Sequence, residues 1–148
     1  MDTQRQRLVA DDLRIRFENL GMPEDKSYPI LSEYFDTYWL PVIGPSASWA
    51  MIKLAKLNEL TAHPEVSLPF GLGQFGASLG LTSRVTLNSP IINMMMRLFR
   101  FGFIRLEGEH AVTVVVSDRC ARLSKGQVDR LPPYLRIGHK LIEEGITA

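Results

Sequence analysis

The stretch from Ser89 to Val116 constrains the fold more than any other part of the chain. Ser89-Pro90 marks a helix start: a serine side chain can cap there, and proline suits the first helical position because its missing N–H would be unpaired anyway. The helix runs from Ile91 to about Phe101 and is stopped by Gly102. Ile91, Met95, Leu98 and Phe99 fall on its inward side, and Asn93, Arg97 and Arg100 share the outer side. Two strands follow, Phe103–Leu106 and the valine-rich Ala111–Val116. They flank Glu107-Gly108-Glu109-His110, a link of hairpin length that contains a glycine.

Upstream, Gly44-Pro45 opens a helix over Ser46–Leu60, with Ala47, Ala50, Met51, Leu54 and Leu57 lining one face. Val66-Ser67-Leu68 is long enough only for an edge strand. Gln74–Leu79 reads as a short helix closed by Gly80, and Thr82–Asn88 as a polar turn. At the N-terminus, the helical spacing of Val9, Leu13, Phe17 and Leu20 predicts a helix over Arg5–Leu20, ended by Gly21-Met22-Pro23. Tyr28–Leu40 is also predicted helical and is stopped by Pro41. Its adjacent rows, Ile30, Tyr34, Tyr38 and Leu31, Phe35, Trp39, make an aromatic stripe suited to core packing. At the C-terminus, Ser124 and Gln127 have the spacing of a capping box, Pro132-Pro133 interrupts, and Tyr134–Glu144 forms a last helix. No internal repeat is visible.

The order from Ser46 to Val116 is helix, short strand, helix, turn, helix, hairpin. It resembles the winged-helix variant of the helix-turn-helix. Leu79-Gly80-Leu81, the polar turn and Ser89-Pro90 look like the turn and third helix of such domains. Arg97-Leu98-Phe99-Arg100-Phe101-Gly102-Phe103-Ile104 looks like the passage from recognition helix into wing that many winged-helix regulators and replication initiators share. The resemblance implies a mainly α (α+β) fold, a winged helix with a short β-hairpin flanked by N-terminal and C-terminal helices. It divides the chain into a helical extension for packing or dimerisation at 1–44, a winged-helix domain at 45–116 and a helical segment at 117–148. In DNA-binding members the third helix lies in the major groove with its N-terminal half against base edges. Carried onto this sequence, the DNA-binding positions are Arg84, Thr86, Asn88, Ser89, Asn93 and Arg97, with Arg100 beside them. Arginine and asparagine suit bidentate contacts to guanine and adenine edges.

The charge distribution points the same way. Net charge is only +1, but residues 1–44 carry 5 basic and 8 acidic side chains, and residues 84–140 carry 10 basic and 4 acidic. The sums, −3 and +6, separate the chain into unlike halves, as a polyanion-facing surface would. Against this, Glu107 and Glu109 place carboxylates at the wing tip, where they oppose a phosphate backbone. Met94, Met95 and Met96 place adaptable apolar side chains where many readers carry polar ones.

Other chemistries find no support. Gly71-Leu72-Gly73-Gln74-Phe75-Gly76 matches G-x-G-x-x-G, but a dinucleotide fingerprint needs a βαβ unit and an acidic residue about 20 positions on. Position 96 is methionine, so the motif reads as a loop entering a helix. His63, His110 and His139 have no cysteine partner at metal-ligand spacing. Cys120, the one cysteine, lies near Arg119 and Arg122 without catalytic context, and a disulfide within the chain is excluded. The expectation is therefore a non-enzymatic cytoplasmic protein without cofactor or metal, with no membrane span. Its expected partner is double-stranded DNA, as a transcriptional regulator or replication accessory factor, with a homodimer or a protein partner also open. The alternative is a protein-interaction module on the same scaffold, motivated by the acidic wing and the apolar Met94–Phe103 surface.

Overall fold

Leu13-Arg14-Ile15-Arg16-Phe17-Glu18 alternates apolar and charged residues, the period of a strand with one buried face. In the computed structural model, which describes residues 2–10, 12–61 and 68–145, this segment is extended. Only Asp2–Leu8 is helical (α1), and Arg14–Glu18 is a strand (β1) with Leu13, Ile15 and Phe17 buried. The helix expected over Arg5–Leu20 is thus broken. Leu13 and Phe17, four apart, are equally an even number apart, and burial on one sheet face decided the outcome.

β1 is followed by β2 (Ser27–Pro29), a π-helical turn (Phe35–Trp39), α2 (Leu40–Ile43) and the long α3 (Pro45–Thr61). Then come β3 (Leu68–Pro69), α4 (Leu72–Ser78), α5 (Pro90–Arg100), β4 (Ile104–Glu107), β5 (Thr113–Ser117) and β6 (Arg119–Ala121). Two helices close the series, α6 (Lys125–Asp129) and α7 (Pro133–Glu143). The fold is α+β and mainly α. Val66 and Ser67 of the expected edge strand, and His63, lie outside the described residues.

The main sheet has the order β3-β1-β5-β4. β1 runs parallel to β5, in register from Arg14 opposite Thr113 to Glu18 opposite Ser117, and antiparallel to β3. β4 and β5 form the expected hairpin. The sheet thus draws on residues before position 44, and β6, which pairs antiparallel with β2, draws on residues after 116. Val114, Val115 and Val116 are all buried, because β5 is covered on both faces.

The second expected helix, Tyr28–Leu40, is also corrected. Its start is β2, and its end is the π-helical turn that passes directly into α2. Pro41 does not stop it. The change of register at Leu40 puts Pro41 in the first turn of α2, where no N–H is required. The aromatic stripe is core, as its pattern implied. Phe35 and Trp39 meet Phe103 edge-on, with ring centroids 5.8 and 4.9 Å away. The Trp39 indole donates to the Ala121 carbonyl at 2.7 Å, tying β6 to the same layer.

α5 begins at Pro90 and buries Ile91, Ile92, Met95, Met96 and Leu98 against α3, α4 and the sheet. Its exit is a left-handed Gly102, φ +80°. The Phe103 N–H returns to the Leu98 carbonyl and the Gly102 N–H to the Phe99 carbonyl. This is the Schellman closure, with its apolar contact made by buried Leu98 and Phe103.

Two glycines of the G-x-G-x-x-G stretch, Gly73 and Gly76, are packing glycines. A Cβ on Gly73 would overlap the backbone carbonyl of Ser83, and one on Gly76 would touch Ile91. They let α4 press against the turn before α5.

α7 docks through His139, which is fully buried. The Tyr34 hydroxyl accepts the Leu123 N–H at 2.9 Å and shares a hydrogen bond with His139 Nε2 at 2.7 Å. Nδ1 lies 2.9 Å from a Glu143 carboxylate oxygen, out of line for a well-formed hydrogen bond. Tyr38 packs edge-on to the imidazole, and its hydroxyl fills the space a side chain on Gly138 would need. Burial holds the His139 pKa below its ordinary value of 6.5, against the pull of Glu143 and with the push of Arg122.

Two outcomes follow. Gly73→Ala costs about 1–3 kcal/mol of stability, because the clash is with backbone, and urea unfolding reads this as a lower midpoint. The unfolded chain takes up a proton on His139 more readily than the folded one. Stability is therefore fully present above pH 6.5 and falls as pH drops toward the lowered folded value; His139→Gln flattens this acid limb in pH-dependent urea melts.

Candidate functional site

The outer side of α5 carries Asn93, Arg97 and Arg100, all exposed as their spacing predicts. Beside it, between α5 and the first turn of α3, lies a groove of about 400 Å³ lined by Gly44, Pro45, Ser46, Pro90, Asn93, Met94 and Arg97. Met94 is half-buried there, whereas Met95 and Met96 are core. Most of the apolar surface expected from Met94 to Phe103 is therefore used internally.

The turn that leads into α5 is shaped by Ser89. Its hydroxyl does not cap the helix. It accepts the Thr86 N–H at 2.7 Å and lies 3.2 Å from the Thr86 hydroxyl. Ser89 is buried by this arrangement, and its hydroxyl is engaged within the turn. Thr86 is exposed, although its hydroxyl is engaged with Ser89. Arg84 and Asn88 are exposed on the same turn, and the Arg84 N–H is held by the Thr82 hydroxyl at 3.3 Å.

Arg97 is partly committed elsewhere. Its Nε donates to the Ile43 carbonyl in a short hydrogen bond, and Nη2 donates to the Val42 carbonyl at 3.3 Å. The guanidinium also sits over the Phe101 ring. These contacts satisfy carbonyls at the C-terminus of α2, where a positive charge is favourable. Arg97 therefore fastens α2 to α5 as well as facing the groove.

The N-terminal helix brings a residue that sequence reasoning missed. Arg5 Nη1 donates to the Leu87 carbonyl at 2.9 Å and to Asn93 Oδ1 at 2.8 Å. Its neighbour Arg7 donates to the Gly108 carbonyl at the hairpin tip, 2.7 Å away. α1 thereby clamps both the start of α5 and the tip of the β4–β5 hairpin. Recognising β1 from its alternation would have brought α1 to this side of the sheet.

The carboxylate of Glu107 is not free to repel an anion. Arg16 Nη2 lies 2.8 Å from one of its oxygens and Arg105 Nη2 2.8 Å from the other. The same arginines bond Glu18 at 3.2 and 2.7 Å. This four-residue lattice covers Val115, which lies between Arg16 and Arg105 in register. The hydrogen bond from Arg16, together with Arg105, holds the Glu107 carboxyl below its usual range. Glu109 and His110 remain exposed at the tip.

The basic C-terminal stretch is likewise part scaffold. Arg119 donates to the Ser27 hydroxyl at 2.6 Å and carbonyl at 2.7 Å, Arg122 to the Tyr28 hydroxyl at 3.0 Å, and Arg136 to the Asp129 carbonyl at 3.2 Å. Lys125, Arg130 and Lys140 are exposed. Cys120 is buried, and burial pushes its thiol up to about 12, overriding Arg119, so it is not an activated nucleophile. The capping box of α6 is present: Ser124 Oγ accepts the Gln127 N–H and Gln127 Oε1 the Ser124 N–H. Among the described residues, no group of three or more His, Cys, Asp or Glu could hold a metal ion, and no helix is long and apolar enough to cross a membrane.

No protein-family model matches the chain, and no curated protein sequence matches it either. Among solved structures, the fold is similar to that of the primosome protein DnaB, residues 1–300, from Geobacillus stearothermophilus. The TM-score is 0.51 and the identity 16%, and the match covers 92% of this chain. The chain spans 50% of the length of that structure.

Arg97→Ala removes two charge-assisted bonds to α2 and lowers stability by about 1–2 kcal/mol, with Arg97→Lys restoring only part because a lysine cannot reproduce the fork. Urea midpoints measure the loss. An unchanged midpoint would show that Arg97 has no fastening role.

Proposed function

We propose that the chain is a DNA-binding protein of winged-helix type, acting in the cytoplasm by binding rather than catalysis, as a replication accessory factor or a transcriptional regulator. The observation that carries this reading is the outer side of α5. It follows a helix–strand–helix–turn order (α3, β3, α4, then residues 79–89) and leads into the β4–β5 hairpin, the order of a winged helix with β1 added between β3 and the hairpin. Asn93, Arg97 and Arg100 project there, Arg84 and Asn88 lie on the turn before it, and α1 adds Arg5. Of these, Asn93 lies in the N-terminal half of α5, the part of a major-groove helix that meets base edges, and Arg97 and Arg100 lie in its last turn. The pinning of Glu107 removes one objection to a phosphate backbone near the hairpin, and the naming of a similar structure as a primosome protein favours the replication reading over the regulatory one.

A second reading, a protein-interaction module or homodimer, is favoured by one observation. Tyr134 and Ile137, one turn apart on α7, are 73% and 65% exposed. Light scattering that finds a monomer at high concentration removes the homodimer.

The duplex reading has a direct test. Labelled random duplex is retained at low salt, and the association constant falls steeply as salt rises from about 50 to 200 mM. Arg100→Ala lowers the slope of log K against log salt by about 1. No retention at low salt would defeat the proposal.

A further inference from the structure

We propose that Arg5 belongs to the base-reading face of α5 and, by holding Asn93, turns it into a receiver of hydrogen-bond acceptors that reads guanine rather than adenine. The proposal rests on the DNA-binding reading above and specifies the ligand of that same surface.

An exposed asparagine on a recognition helix ordinarily pairs with adenine, its amide oxygen accepting from N6 and its amide nitrogen donating to N7. Asn93 is not in that state. An arginine carries donors only, so the amide oxygen must be the atom that faces Arg5, which fixes the orientation of the amide. Oδ1 keeps one lone pair, but a guanidinium nitrogen 2.8 Å away opposes the approach of an adenine amino group, itself a donor. The Nδ2 hydrogens of this exposed residue remain to be donated.

Arg5 is held as firmly from the other side. Nη1 spends both hydrogens, one on Asn93 and one on the Leu87 carbonyl at the end of the turn before α5. The guanidinium is thereby oriented at the N-terminal half of the helix, with the Nε and Nη2 hydrogens remaining to be donated. Arg97, one turn along, has given Nε and Nη2 to α2 and retains Nη1 for the groove. The three side chains together offer donors and positive charge. Guanine presents two acceptors, N7 and O6, on its major-groove edge, whereas adenine presents one acceptor beside a donor. A phosphate oxygen shares the acceptor chemistry, and base preference separates the two sources.

The test is selection of bound sequences from a random duplex pool by the full chain, with parallel selections for Arg5→Ala, Arg5→Gln and Asn93→Ala. The unaltered protein is expected to enrich guanine at a position whose preference Asn93→Ala abolishes. Arg5→Ala is expected to move that position from guanine toward adenine by about tenfold, the discrimination of one good bidentate pair. Arg5→Gln, which keeps a neutral donor for Asn93 Oδ1, is expected to retain more of the guanine preference than Arg5→Ala. Adenine at the Asn93-dependent position of the unaltered protein overturns the proposal. So does a uniform loss of affinity in both Arg5 variants with base preference unchanged and the salt slope reduced by about 1, which assigns Arg5 to phosphate. Retention of no duplex at all defeats the DNA reading itself, an outcome distinct from either.

Discussion

Parallel hydrogen bonding between β1 and β5 joins the start of the chain to the second strand of the hairpin, and most of the surface depends on it. Parallel neighbours need a long crossover, and here the crossover contains α3, α4 and α5. With β1 held between β3 and β5, α1 is delivered against α5. Arg5 and Arg7 then reach the start of α5 and the hairpin tip. The same pairing sets Arg16 and Glu18 opposite the charges of β4, so the lattice over Val115 is a consequence of register.

That lattice changes the meaning of the charge distribution. The +6 of residues 84–140 looks like one basic surface in a linear reading. Folded, Arg105 answers Glu18 and Glu107, Arg119 and Arg122 secure β2, and Arg97 fastens α2. Each of these arginines holds two elements together through fixed donors, a task for which a planar guanidinium is better built than an ammonium. The charge that remains for a polyanion is concentrated on the turn before α5, along its outer side and on α6 and α7.

A second layer sits on the opposite side of the aromatic stripe. Phe35 and Trp39 face Phe103 and the sheet, while Tyr34 and Tyr38 face α7. One π-helical turn thus serves two interfaces, and the histidine–tyrosine contact is the polar fixed point of the second. His139, isolated in sequence, is fully buried. It is the group through which the terminal helix is held.

The helices α3, α5 and α7, the β4–β5 hairpin, the capping box at Ser124 and the closure at Gly102 were legible in the sequence. Each is specified by neighbours within a few residues: proline at a first turn, glycine where φ is positive, apolar residues at a fixed period. The exposure of Asn93, Arg97 and Arg100 followed from the same periodicity. β1, β2 and β6 were not read, because a strand is stabilised by a partner far along the chain, and Leu13 and Phe17 fit a helix as well as a strand until that partner is known. The same reason hid Arg5 from the candidate site, buried Ser89 and removed Glu107 as an opponent of anions. Local stereochemistry determined where α3, α5 and α7 begin and end; only tertiary structure decided which charged side chains are spent on the fold and which are left to face a ligand.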